Sequence, residues 1–148
     1  MAITAAVLVA SFSTADATSY LTASVSPTAG RLTLVGIHNR DADGSAPQTP
    51  TLSGNGRTYV QVATQTHNTQ DGAGQGRVTV FRAMGTPSDG QITIAFAGVL
   101  QSHCTWHVMQ FDGVDTSGVD GAGAIVQSVS NSAVSTTSLT VTLAAFGS

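Results

Sequence analysis

Lysine and glutamate are both missing from this chain of 148 residues; its cations are arginines and its carboxylate side chains are all aspartates. Both missing residues are good helix formers, whereas the Thr and Val that recur in their place fit a pleated, half-buried surface. The composition therefore disfavours a helix-rich fold and favours strands. Charge of either sign is scarce, at 9% of residues, against about 25% in an average soluble domain. The net charge of −3 and the pI near 5.6 oppose nucleic-acid binding. Arg31, Arg40, Arg57, Arg77 and Arg82 are dispersed along the chain and form no basic stripe. Cysteine occurs once, at Cys104, so no intramolecular disulfide can form and packing and hydrogen bonds must hold the fold. No apolar run approaches the roughly 18 residues of a membrane-spanning helix, so no membrane partner is expected.

What is present is alternation of period two, interrupted by clusters of Gly, Pro, Asn and Asp. Ile92, Ile94 and Phe96 between Thr93 and Ala95, and Leu139, Val141 and Leu143 between Thr140 and Thr142, read as half-buried strands with those apolar residues inward. Similar segments run from Ile3 to Phe12, Tyr20 to Val25, Leu32 to His38, Thr58 to Thr64, Arg77 to Ala83, His103 to Phe111 and Ala124 to Val129. Turn signals separate them at Pro27 to Gly30, Asp41 to Gly44, Gly54 to Gly56, Asp71 to Gly74, Pro87 to Gly90 and Asp112 to Asp115. About nine short strands with little or no helix predict an all-β fold, an antiparallel jelly-roll-like β-sandwich, in a single domain over residues 1–148.

The N-terminus offers two readings, because Ala5 to Ala10 is apolar and Ala15-Asp16-Ala17 has the form of a signal-peptidase site. No positive charge precedes Arg31 and the apolar run is short, so a first strand is favoured over a signal peptide.

The densest chemistry is His103-Cys104-Thr105-Trp106-His107. On a helix the two histidines would share a face and chelate one zinc ion. On a strand they lie about 13 Å apart and do not. Trp106, Val108 and Phe111 give the segment strand character, so Cys104 and Trp106 are read as core residues. The aspartates of the turns at Asp41 to Gly44 and Asp112 to Asp115 suit calcium by chemistry but lack EF-hand spacing, and Asp and Gly are ordinary turn formers. No nucleophile elbow is present, and the aspartates fall in turns, not across a cleft where paired carboxylates could act on a glycosidic bond. Gly72 to Gly76 lacks the Lys-Ser/Thr ending of a phosphate loop and reads as a hairpin tip. Trp106, Tyr20 and Tyr59 are the only Trp and Tyr residues from which a sugar-stacking platform could be built. The expectation is no catalytic residue, no cofactor and no metal ligand.

The segments from Thr51 to Tyr59, Arg77 to Gly85, Cys104 to Trp106 and Phe111 to Gly118 resemble a largely uncharacterised β-sandwich domain of phage virion proteins and bacterial surface or secreted proteins. The resemblance covers most of the chain and rests on turn and core residues, so it bears on fold more than on function. The family pattern extends beyond the segment from Leu143 to Ser148, and two readings stand: a strand end that packs on itself or on a neighbour, or a shortened chain. The resemblance carries no catalytic residues. It implies a structural virion protein, a capsid decoration (cement) or tail component that packs against other virion subunits such as the major capsid or tail protein, and a homo-oligomer located in the virion. The alternative is a carbohydrate-binding or adhesive module of a larger exported protein, at the cell surface or outside the cell.

Overall fold

The computed structural model describes residues 2–43, 46–68, 74–133 and 138–145. The strands are β1 (Thr4–Ser13), β2 (Ser19–Leu21), β3 (Leu32–Asp41), β4 (Thr51–Gly54), β5 (Val60–Asn68), β6 (Gln75–Ala83), β7 (Ile92–Ala95) and β8 (Gln101–Asp112), followed by a 3₁₀ helix over Val119–Ala124. They form two antiparallel sheets, a larger one in the order β1-β8-β3-β6-β5 and a smaller one in the order β2-β7-β4. β1 pairs with β8, β2 with β7 and β3 with β6. This nesting is that of one long hairpin rolled into a jelly-roll β-sandwich. β4 and β5 do not pair with each other; β5 joins β6 and becomes an edge of the larger sheet.

The period-two pattern decides which side chains enter the sandwich. On β3, Val35, Ile37 and Asn39 are buried while Gly36 and His38 look outward; on β8, Cys104, Trp106 and Val108 are buried while Thr105 and His107 look outward. Phe81 and Thr79 from β6 complete this inner face. Tyr20, Ile92 and Ile94 of the smaller sheet, with Val25 and Phe96, pack against it. The inward placement expected of Ile92, Ile94 and Phe96 is thus observed, and so is the core placement of Cys104 and Trp106.

Polar groups inside the sandwich are cross-linked. Asn39 Nδ2 donates to Gln101 Oε1 at 2.6 Å and to the Gln48 carbonyl at 2.9 Å. Tyr20 Oη lies 2.6 Å from the Gln101 carbonyl and 2.8 Å from that of Ala15. Arg77 Nε donates to the Pro47 carbonyl at 2.8 Å, and Arg57 donates to Thr33 Oγ1. These arginines serve as internal ties between loops and the sheet, a use that sequence alone does not distinguish from solvated charge.

The structure corrects the strand map at four places. β4 was not expected, because Thr51 and Leu52 are too short a run to show alternation before the Gly54 turn. Between Tyr20 and Val25 the ladder is shorter than expected, ending at Leu21, with an isolated bridge between Val25 and Gly90 beyond it. The segments Ala124 to Val129 and Leu139 to Leu143 are not strands: Ala124 closes the 3₁₀ helix, and residues 125–133 and 138–145 belong to no ladder. Leu139, Val141 and Leu143, expected inward, are 51%, 46% and 52% exposed. Strand propensity measures fit to a half-buried pleated surface and needs a neighbouring strand to express it, which these residues do not find among the described residues. Ala5 to Ala10 lies within β1. Gly44 and residues 71–73, which the sequence marks as parts of turns, and Phe146 to Ser148 lie outside the described residues.

Candidate functional site

The outward face of the larger sheet carries the chemistry. His38 on β3 and His67 on β5 stand on the two strands flanking β6, with His67 opposite Gly76 and His38 opposite Val78. Their Nε2 atoms are 3.1 Å apart, their ring centroids 5.3 Å apart and their planes 17° apart. A centroid separation exceeding the nitrogen separation by this much means that the rings meet through their Nε2 edges and do not stack face to face. One Nε2–H therefore donates to the other ring's lone pair. Gly76 makes room: a Cβ there would lie 2.5 Å from His67 Cε1 and 2.8 Å from His38 Nε2. His103 on β8 closes the other side of His38, ring centroids 6.1 Å apart and edge-on, with its own Nε2 2.8 Å from Thr105 Oγ1. Phe12 of β1 covers His103.

Burial, and then the neighbouring His67, His103 and Arg40, hold the His38 imidazole below the 6.5 of an ordinary histidine. Between the two values the unfolded chain binds the extra proton and the folded chain does not. Stability is therefore full above pH 6.5 and is lost as the pH falls through the folded value. Urea midpoints are expected to drop between about pH 7.5 and about pH 5.5, and His38→Gln should flatten the part of the slope that His38 contributes. An unchanged slope in that variant would mean that His38 does not titrate differently in the two states.

The residues singled out from sequence are scattered by the fold. His103 and His107 both look outward from β8 with Thr105 between them, as a strand requires, and His107 stands opposite Gly36 and Ala10, away from the pair. Cys104 is fully buried, and burial pushes its thiol up to about 12, so it offers no thiolate near neutral pH. The turn aspartates stabilise their own turns: Asp41 Oδ1 accepts the Asp43 N–H at 2.7 Å and Asp115 Oδ1 accepts the Ser117 N–H at 2.8 Å. Asp112 also pairs with Arg31 at 3.0 Å. Trp106 and Tyr20 are core residues and Tyr59 is half-buried, so these rings build no exposed stacking platform. Sequence could not signal the His38–His67 contact, because the two residues are 29 positions apart and meet only through the β3-β6-β5 order.

Beside the pair lies the C-terminal segment. Its two limbs run side by side, joined by Gln127 Nε2 to the Ala144 carbonyl at 2.8 Å and Asn131 Nδ2 to the Thr140 carbonyl at 3.0 Å. They touch the sheet through side chains: Ser128 Oγ donates to the Val62 carbonyl, and Ser130 and Ser132 Oγ bond to the Gln65 amide. Among the described residues, no backbone–backbone hydrogen bond holds 126–133 or 139–145. Between limbs and sheet runs a groove of about 430 Å³ whose apolar lining includes Val78, Val129, Leu139 and Val141, with His67 and Gln65 among its polar lining. Among the described residues no helix is long and apolar enough to cross a membrane. Comparison of the chain with protein-family models, with curated proteins and with solved structures returns no match.

Proposed function

We propose that the chain is a structural subunit of a phage-type virion, a capsid decoration or tail component, that acts by packing against neighbouring subunits and not by catalysis. The observation that carries this reading is the C-terminal segment. Two stretches with strand-forming sequence stay outside any ladder and leave Val126 73% exposed along with Leu139, Val141 and Leu143. A segment of this kind is completed by adding to a neighbour's sheet edge, where backbone groups gain partners and alternate side chains gain a surface. β1 and β5 are the open edges of the larger sheet, and β1 exposes Val7 and Phe12. No charged residue precedes Asp16 and none follows Asp120, so both regions can be covered without stranding an ion.

Light scattering coupled to size-exclusion chromatography is expected to find self-association. Joint Val141→Asp and Leu143→Asp substitution should weaken it by about 1,000-fold, since each unpaired charge buried in such a contact costs at least about 2 kcal/mol. A chain that stays monomeric at every concentration and does not co-sediment with capsid or tail particles would remove this reading.

A further inference from the structure

We propose that His38 and His67 form a two-imidazole chelate on the outward face of the larger sheet, taking a nitrogen-preferring late first-row divalent ion of the Cu²⁺ and Zn²⁺ type. At metal–nitrogen bonds of about 2.0–2.1 Å, donors 3.1 Å apart subtend about 95–102° at the metal, between square-planar and tetrahedral values. The rings now meet nearly head-on, so each must swing for its lone pair to converge on the ion. The soft terminal torsion of histidine allows that swing. Gly76 adds no side-chain atom beside the two nitrogens, where a Cβ would crowd them both. The displaced hydrogen-bonding proton goes to solvent.

The donor set also selects the ion. Among the described residues no group of three or more His, Cys, Asp or Glu side chains could hold a metal, so the described residues supply two nitrogens. His103 has its Nε2 engaged by Thr105 and serves as a wall beside His38. Two imidazole nitrogens offer no oxygen donor to ions such as Ca²⁺ and Mg²⁺. Imidazole nitrogen suits copper and zinc instead. His67 also lines the groove beneath the C-terminal limbs, which gives the ion a solvent path.

The test is a Cu²⁺ titration of the metal-stripped full chain by calorimetry, with electron paramagnetic resonance of the bound ion. About one equivalent should bind with hyperfine structure from two nitrogens, and less tightly as the pH falls, because protons compete for both rings. His67→Gln should weaken binding by at least the 10- to 100-fold or so typical of disturbing a metal site's supporting groups. Gly76→Ala, which leaves both ligands in place and wedges a methyl group between them, should do so on the same scale. His107→Ala should change nothing. Far-ultraviolet circular dichroism of each variant verifies folding, and His67→Gln decides the matter if Gly76→Ala does not fold. Binding that survives both substitutions, or no saturable binding while nitrogen-15 spectra show one proton shared between the rings, would overturn the proposal and leave the pair as a hydrogen bond alone.

Discussion

Phe96→Ala is expected to lower the free energy of unfolding by about 3–5 kcal/mol, the range for removing a buried aromatic ring. The ring is fully buried just beyond β7 and meets Tyr20 edge-on, centroids 6.0 Å apart. Tyr20 in turn lies against Trp106 at 6.3 Å, so the cavity would open where the two sheets are joined. The backbone at Phe96 is pinned by hydrogen bonds from its N–H to the Thr18 carbonyl at 3.0 Å and to its carbonyl from the Val99 N–H at 2.9 Å. The site therefore has little freedom to collapse, which places the loss toward the upper part of the range. Against a total stability of about 5–15 kcal/mol for a typical domain, the variant would be marginal. Urea unfolding followed by the fluorescence of the single tryptophan, Trp106, reads the change directly. A loss under about 1 kcal/mol would show that Phe96 is not packed as described.

The second large effect belongs to Asn55. Its φ of 54° is left-handed, its side chain is buried, and Nδ2 donates to the Gly90 carbonyl at 2.9 Å and the Ser88 carbonyl at 3.0 Å. Its own carbonyl accepts the Ser88 N–H at 2.8 Å. The turn between β4 and β5 is thereby fastened to the loop that leads into β7. Asn55→Ala is expected to cost about 2–4 kcal/mol, from the Ser88 carbonyl left without its donor, the Gly90 carbonyl left with the Val25 N–H alone, and from placing alanine at a positive φ. Asn55→Gly keeps the backbone conformation and loses only the hydrogen bonds, so it should cost less than alanine. Asn55→Asp should be the worst of the three near neutral pH and recover partly in acid, because a carboxylate facing carbonyl oxygens gains a donor only on protonation. If alanine and glycine cost the same, the backbone argument fails; if neither costs more than about 0.5 kcal/mol, the side chain is not a cross-link.

Asn55 also shows where reading the sequence stops. Gly54-Asn55-Gly56 is legible as a turn, because these residues adopt positive φ at low cost, and the turn is there. That the amide of this turn residue would be buried and hold a distant loop was not legible, since Ser88 and Gly90 are more than thirty positions away. Arg57 and Arg77 follow the same pattern. They are dispersed charges in the sequence, yet each ties a loop to the inner structure.

The amino-acid sequence by itself determined the all-β class, the position of seven of the eight strands, and the inward faces of segments such as Ile92 to Phe96 and Cys104 to Val108. Those features follow from backbone preference and period-two alternation, which act between near neighbours. Tertiary structure alone decided the order of strands within the sheets, the meeting of His38 and His67 over Gly76, and the failure of Leu139 to Leu143 to become a strand. A strand's alternation specifies which face turns inward but not which strand lies beside it. Every feature that depends on a neighbour, whether a hydrogen-bonded ladder, an imidazole contact or an uncovered apolar limb, is settled only when the sheets assemble.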